Sequence, residues 1–176
     1  MGKYFFVDAE TDGLYGSFLS VAVIVTDRTG TELDRFYGAV QIHPDAISSD
    51  WVKENVLPHL HEAEVFYPDE NTLLEAFWAF WMKHHESCLC IADVPFPVEA
   101  RLFMKCVELC PADRSFSAPF PLLDLASVLA ANGISPLADR AALSGLGLTA
   151  HDAMHDVRMM VQLWNRYMKN GSDRLA

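Results

Sequence analysis

The sequence predicts an α/β domain, a mixed β-sheet flanked by helices. Three observations predict it: a three-strand meander in the first 42 residues, a further short apolar strand at 88–93 behind an amphipathic helix, and helical periodicity through most of the C-terminal half.

Residues 4–9 (YFFVDA) read as a first strand, and 17–27 (SFLSVAVIVTD), rich in β-branched residues, as a second. The turn signal DRTG (27–30) folds 32–42 (ELDRFYGAVQI) back as a third, antiparallel strand. Residues 48–60 read as helix up to Pro58. Residues 69–85 make a longer helix with an acidic, capping start, whose Phe77, Trp78, Phe80 and Trp81 face the core. CLCIAD (88–93) is a buried strand ending in an acid, VPFP breaks the chain, and 98–110 resumes as helix. A helix over 121–134 stops at Asn132-Gly133, another over 137–148 ends in glycines, and a last one covers about residues 151–169, burying Val157, Met160, Val161 and Trp164. Without a repeat or an internal linker, residues 1–176 are expected to form a single domain.

Net charge is −11, from 24 acidic and 13 basic residues. Tight nonspecific binding of long nucleic acid draws on many Lys and Arg contacts to phosphate, so this balance argues against it. A small or end-bound anionic substrate, held through cations, stays compatible. The longest apolar runs, such as FLSVAVIV (18–25), are too short to cross a bilayer, and MGKYFF lacks a signal-peptide pattern. The expectation is a cytoplasmic protein with no membrane partner. Cys88, Cys90, Cys106 and Cys110 sit among apolar neighbours and read as free, buried thiols; their spacing fits neither a zinc finger nor a disulfide scaffold.

The chemistry concentrates at the end of the first strand, in YFFVDAETDGL (4–14). Strand side chains repeat every second residue, so Asp8 and Glu10 share a face. Two neighbouring carboxylates raise each other's pKa and stay ionised at neutral pH only if a cation neutralises them. An oxygen-only donor set suits Mg²⁺ or Mn²⁺. Asp12 alternates onto the same face but reads as a solvated loop residue, and Asp124 as a helix cap. Far along the chain, HDAMHD (151–156) offers Asp156 with His151 about a turn earlier. A zinc site built on His151 and His155 would need a third ligand, and none follows at a convincing spacing. Asp152 and His155 lie on neighbouring helix faces.

Asp-x-Glu on the first strand, an acid after a later core strand and His-x4-Asp opening the C-terminal helix together resemble the DEDDh 3′–5′ exonucleases of the RNase H-like (DnaQ-like) superfamily. DAETDGL is similar to that family's first motif and HDAMHDV to its third, and the match runs in order over nearly the whole chain. The middle motif departs. Asp93 closes the strand, while the helix-start position followed by Leu102 and Phe103 is held by Glu99; either can supply the fourth acid, and Asp93, which has the residue type of the motif, is the favoured one. The resemblance implies an RNase H-like fold. It also implies that Asp8, Glu10, Asp156 and Asp93 or Glu99 hold two divalent ions, Mg²⁺ or Mn²⁺, roughly 4 Å apart. His151 would be the general base. Thr11, Gly13 and Leu14 would meet the terminal nucleotide of single-stranded or short DNA or RNA, with a nucleoside 5′-monophosphate as product and a homodimer as the possible assembly. The altered middle motif leaves a rival: a catalytically impaired nucleic-acid-binding module or partner subunit.

Overall fold

The structure, a computed structural model, describes residues 2–172. Six strands form one sheet: β1 (Lys3–Thr11), β2 (Phe18–Asp27), β3 (Glu32–Val40), β4 (Val65–Tyr67), β5 (Cys88–Ala92) and β6 (Leu122–Asp124), in the order β4-β3-β2-β1-β5-β6. β1, β2 and β3 pair antiparallel, while β5 pairs parallel to β1 and β6 parallel to β5. The helices are α1 (Asp50–Asn55), α2 (Glu70–His84), α3 (Val98–Leu109), α4 (Pro111–Arg114), α5 (Leu125–Ala131), α6 (Arg140–Ser144) and α7 (Ala153–Ser172). This is the expected mixed sheet flanked by helices.

Alternation along β1 sorts its side chains between two cores. Phe5, Val7 and Ala9 pack with Leu73, Phe77, Trp78 and Trp81 of α2 and with Leu102, Phe103 and Cys106 of α3. Phe6 faces the other way, against Leu125 and Leu129 of α5 and Val157, Met160, Leu163 and Trp164 of α7. By the same period-two rule Asp8 and Glu10 follow Phe6 onto the α7 face. Cross-strand partners there are small, Ala22 opposite Asp8 and Ser20 opposite Glu10. The parallel β1–β5 pairing ends at Phe6 and Ile91, so the acidic end of β1 runs past β5 towards the loop that follows it.

Several boundaries differ from expectation. The helix expected over 48–60 is α1 followed by a 3-10 turn from Leu57 to Glu62, because Pro58 lacks the N–H that would continue the α-helix. The expected helix start at 121–124 is instead β6, parallel to β5; Asp124 then caps α5, accepting the Ala126 N–H at 2.9 Å. The helix expected over 137–148 is only α6, closed by Gly145 in the left-handed region at φ 70°. Phe80 and Val161 are partly rather than fully buried. Cys88, Cys90 and Cys106 are buried, and all four cysteines are free. No helix among the described residues is long and apolar enough to cross a membrane.

Candidate active site

One carboxylate oxygen from each of Asp8, Glu10 and Asp156 lies within 4.8 Å of the others. β1 delivers the first two. The third comes from the first turn of α7, whose start is fixed by Asp152: its Oδ1 accepts the Met154 and His155 N–H groups, both at 3.0 Å. Asp156 Oδ2 in turn accepts the backbone N–H of His151 at 2.8 Å, across a residue held at φ 66°. Asp152 is 2% exposed, and its Oδ2 has no hydrogen-bond partner among the described residues.

Glu99, from α3, lines the same cavity beside these three, outside the group that converges within 4.8 Å. It is buried, with 4% exposure, in the first helical turn. The backbone N–H groups of Glu99 itself and of Ala9, the residue between Asp8 and Glu10, favour its ionised form. Asp93, by contrast, is held by Arg140 at 2.5 and 3.0 Å, and Arg140 also donates to the carbonyls of Ala138 and Pro136. Asp93 is therefore engaged by a guanidinium beside the cluster, whereas Glu99 is buried against it.

Burial and mutual repulsion leave these acids hard to ionise. Burial comes first for each of them. It lifts Asp8 well above the usual carboxyl range, assisted by the charges of Asp156, Glu99, Glu10 and Asp93. Glu10 is pushed up to about 8 by burial and by Asp156 and Asp152. Burial also brings Glu99 to about 8 and Asp156 to about 7. Hard oxygen donors that repel one another, close together and partly open to solvent, form a donor set that fits a divalent cation of the Mg²⁺ or Mn²⁺ type.

A cavity of about 380 Å³ opens over the cluster. Its wall includes Asp8, Glu10, Asp93, Glu99, His151 and Asp156, and its apolar part includes Leu14 and Phe96, which are 62% and 73% exposed. Arg140 is the one Lys or Arg among the described residues of that wall. Leu14 belongs to a turn pinned from α3: Arg101 donates to the carbonyls of Gly16 at 2.7 Å, Tyr15 at 3.1 Å and Leu14 at 3.4 Å, and stacks on the Phe18 ring at 4.7 Å. Within the turn, Gly13 takes φ 75° and donates its N–H to the Thr11 carbonyl, and Thr11 is buried. A Cβ on Gly16 would fall 2.0 Å from the Asp12 carbonyl oxygen, so the turn closes only with glycine there.

Asp12 is not a freely solvated loop residue. Its carboxylate accepts the Ser48 N–H and hydroxyl at 2.8 and 2.7 Å and the Ser49 N–H at 3.0 Å. Burial pushes its pKa up, but these hydrogen bonds and Lys53 outweigh that and leave it below the ordinary value. His155 Nδ1 lies 3.3 Å from the Thr149 carbonyl oxygen, and His155 is outside the converging group. Sequence reasoning did not single out Arg140, Phe96 or Trp51. The signal for Arg140 is the Asp139 cap, whose Oδ1 accepts the Ala141 N–H at 2.9 Å and starts a helix with an arginine in its first position.

No protein-family model and no curated protein matches the sequence. Solved structures do. The zinc-ion-bound form of an Escherichia coli exonuclease I complex with single-stranded DNA is similar over 99% of this chain, with 17% identity and a TM-score of 0.70. A full-length 3′-exonuclease is similar over 97% of this chain and 83% of its own, with 13% identity and a TM-score of 0.64. Exonuclease I with a 5cy-dT13 oligonucleotide is similar over 99% of this chain, with 15% identity and a TM-score of 0.65. The chain spans 42% of the length of those exonuclease I chains. It shares the fold of these exonuclease structures.

Proposed function

We propose that the chain is a divalent-metal-dependent 3′–5′ exonuclease that releases nucleoside 5′-monophosphates from single-stranded or short nucleic acid. One observation carries this reading: carboxylates from β1 and α7, more than 140 residues apart in sequence, converge within 4.8 Å beneath an open cavity. Similarity to exonuclease folds over 97–99% of the chain supports it.

In this reading Asp8, Glu10, Asp156 and Glu99 hold the metal. Asp93 is set aside because Arg140 takes both of its oxygens. Two bound divalent ions would supply Lewis-acid activation of the attacking water and stabilise charge on the departing 3′ oxygen. His151 accepts the proton of that water on its imidazole. Partial desolvation, with the charge of His59, holds the ring below its ordinary pKa and therefore neutral at pH 7. Asp156 fixes the His151 main chain through the N–H hydrogen bond. Leu14 and Phe96 give the terminal base an apolar rim, and the Gly13 turn lets backbone approach the sugar.

The test is digestion of a 5′-labelled oligonucleotide with Mn²⁺. The expected result is a ladder shortening from the 3′ end, lost in Asp8→Ala and reduced 10²–10⁴-fold in His151→Ala. The replacement of the middle aspartate by Glu99 favours a second reading, a non-catalytic nucleic-acid-binding module. Retained oligonucleotide binding without any ladder supports that module and overturns the enzyme.

A further inference from the structure

We propose that Trp51 is a positioning residue that sets the orientation of the His151 imidazole. The inference rests on His151 being the proton acceptor of the reaction just described. An imidazole in that role is ordinarily aimed by a hydrogen bond to its second nitrogen, from a carboxylate or a carbonyl. Here the Asp156 carboxylate takes the backbone N–H of His151 instead, and among the described residues no hydrogen bond reaches the ring. What meets the ring is Trp51, edge to face, with centroids 4.7 Å apart and planes at 82°. Such a contact restricts the ring by shape and by the quadrupole of the indole.

Trp51 is itself anchored to the acid-bearing strand. It stands on α1, which Ser49 caps by accepting the Val52 N–H at 3.3 Å. Val52 and Val56 press that segment into the core, each 1% exposed. Ser48 and Ser49 donate to Asp12, two residues beyond Glu10. A continuous path therefore runs from the Glu10 end of β1 through Asp12, Ser49 and Trp51 to the His151 ring. Trp51 is nonetheless 52% exposed, so burial of the indole does not by itself account for a tryptophan at this position.

The test is a kinetic cycle on a short oligonucleotide with Mn²⁺, using Trp51→Ala, Trp51→Leu, Trp51→Phe, His151→Ala and the Trp51→Ala/His151→Ala pair, each confirmed folded by thermal melting. Trp51→Ala and Trp51→Leu are expected to lower kcat about tenfold with KM changed less than about twofold. Trp51→Phe should restore most of the rate. The double variant should be no slower than His151→Ala alone, because a residue acting through another adds nothing once that other is gone. If the Trp51 loss falls on KM, or persists in full on top of His151→Ala, Trp51 is a base-stacking surface and the proposal is overturned while the nuclease reading stands. If His151→Ala keeps full activity, the positioning role falls together with the general-base role.

Discussion

At the residue scale the acids make opposite demands on pH and metal. The carboxyls of Glu10 and Glu99 move up to about 8 and that of Asp156 to about 7 on folding, against ordinary values of about 4. Between those limits the folded metal-free chain binds more protons than the unfolded one. This contribution to stability is complete below about pH 4 and is lost as pH rises through about 7 to 8. Thermal melting of metal-free protein should accordingly show the cluster opposing folding more strongly at pH 8 than at pH 6. Millimolar Mn²⁺ should raise Tm most at the higher pH, by mass action on the folded state, and a Glu10→Gln variant should flatten both trends. The middle acid is a second residue-scale matter. Glu99→Gln is expected to lower kcat at least about 10²-fold, because on the proposed reading it removes a metal ligand. Asp93→Asn, whose partner is Arg140, should cost less than about tenfold. Steady-state rates of the two variants rank them, and the reverse order would return Asp93 to the metal site.

At the scale of elements, the turn between β1 and β2, proposed to meet the terminal nucleotide, is held on a frame made by neighbours. Gly16 lets it close against the Asp12 carbonyl, and Arg101 ties its three carbonyls to α3. A Gly16→Ala change should open the turn and displace Leu14, raising KM severalfold while leaving the Mn²⁺-dependent rise in Tm intact; initial rates and melting curves separate the two. Elements also differ in how visibly the sequence announces them. The meander was legible because β-branched runs and a DRTG turn are local signals, and the shared face of Asp8 and Glu10 because period two places them there; helical spacing does not place His151, which precedes α7 at φ 66° rather than opening a helix at 151. β4 and β6 were not, since three-residue strands in parallel pairs show no alternation to read. The role of Arg140 was equally hidden, because a partner 47 residues away is fixed only by tertiary packing.

At the scale of the whole molecule, much of the positive charge among the described residues is engaged within the chain. Arg35, Lys53, Lys83, Lys105, Arg114 and Arg140 are in ion pairs with acids, and Arg101 and Arg166 donate to backbone carbonyls. Together with a net charge of −11, this favours, on the proposed reading, contacts confined to the terminal nucleotides. The expected consequence is a KM that varies little with oligonucleotide length past a few nucleotides, with a salt slope of magnitude about 1 rather than the far steeper slopes of proteins contacting many phosphates. Kinetics at two salt concentrations on a length series measure it.

The convergence of β1 and α7 is the claim on which the rest depends, and Mn²⁺ binding followed by electron paramagnetic resonance tests it most directly. The account predicts saturable binding of Mn²⁺ at or below millimolar concentration, weakened at least about tenfold in Asp8→Asn and in Asp156→Asn and unchanged in Asp93→Asn. A folded protein that leaves all of its Mn²⁺ free at millimolar concentration, or one whose binding ignores Asp8 and Asp156, would contradict it.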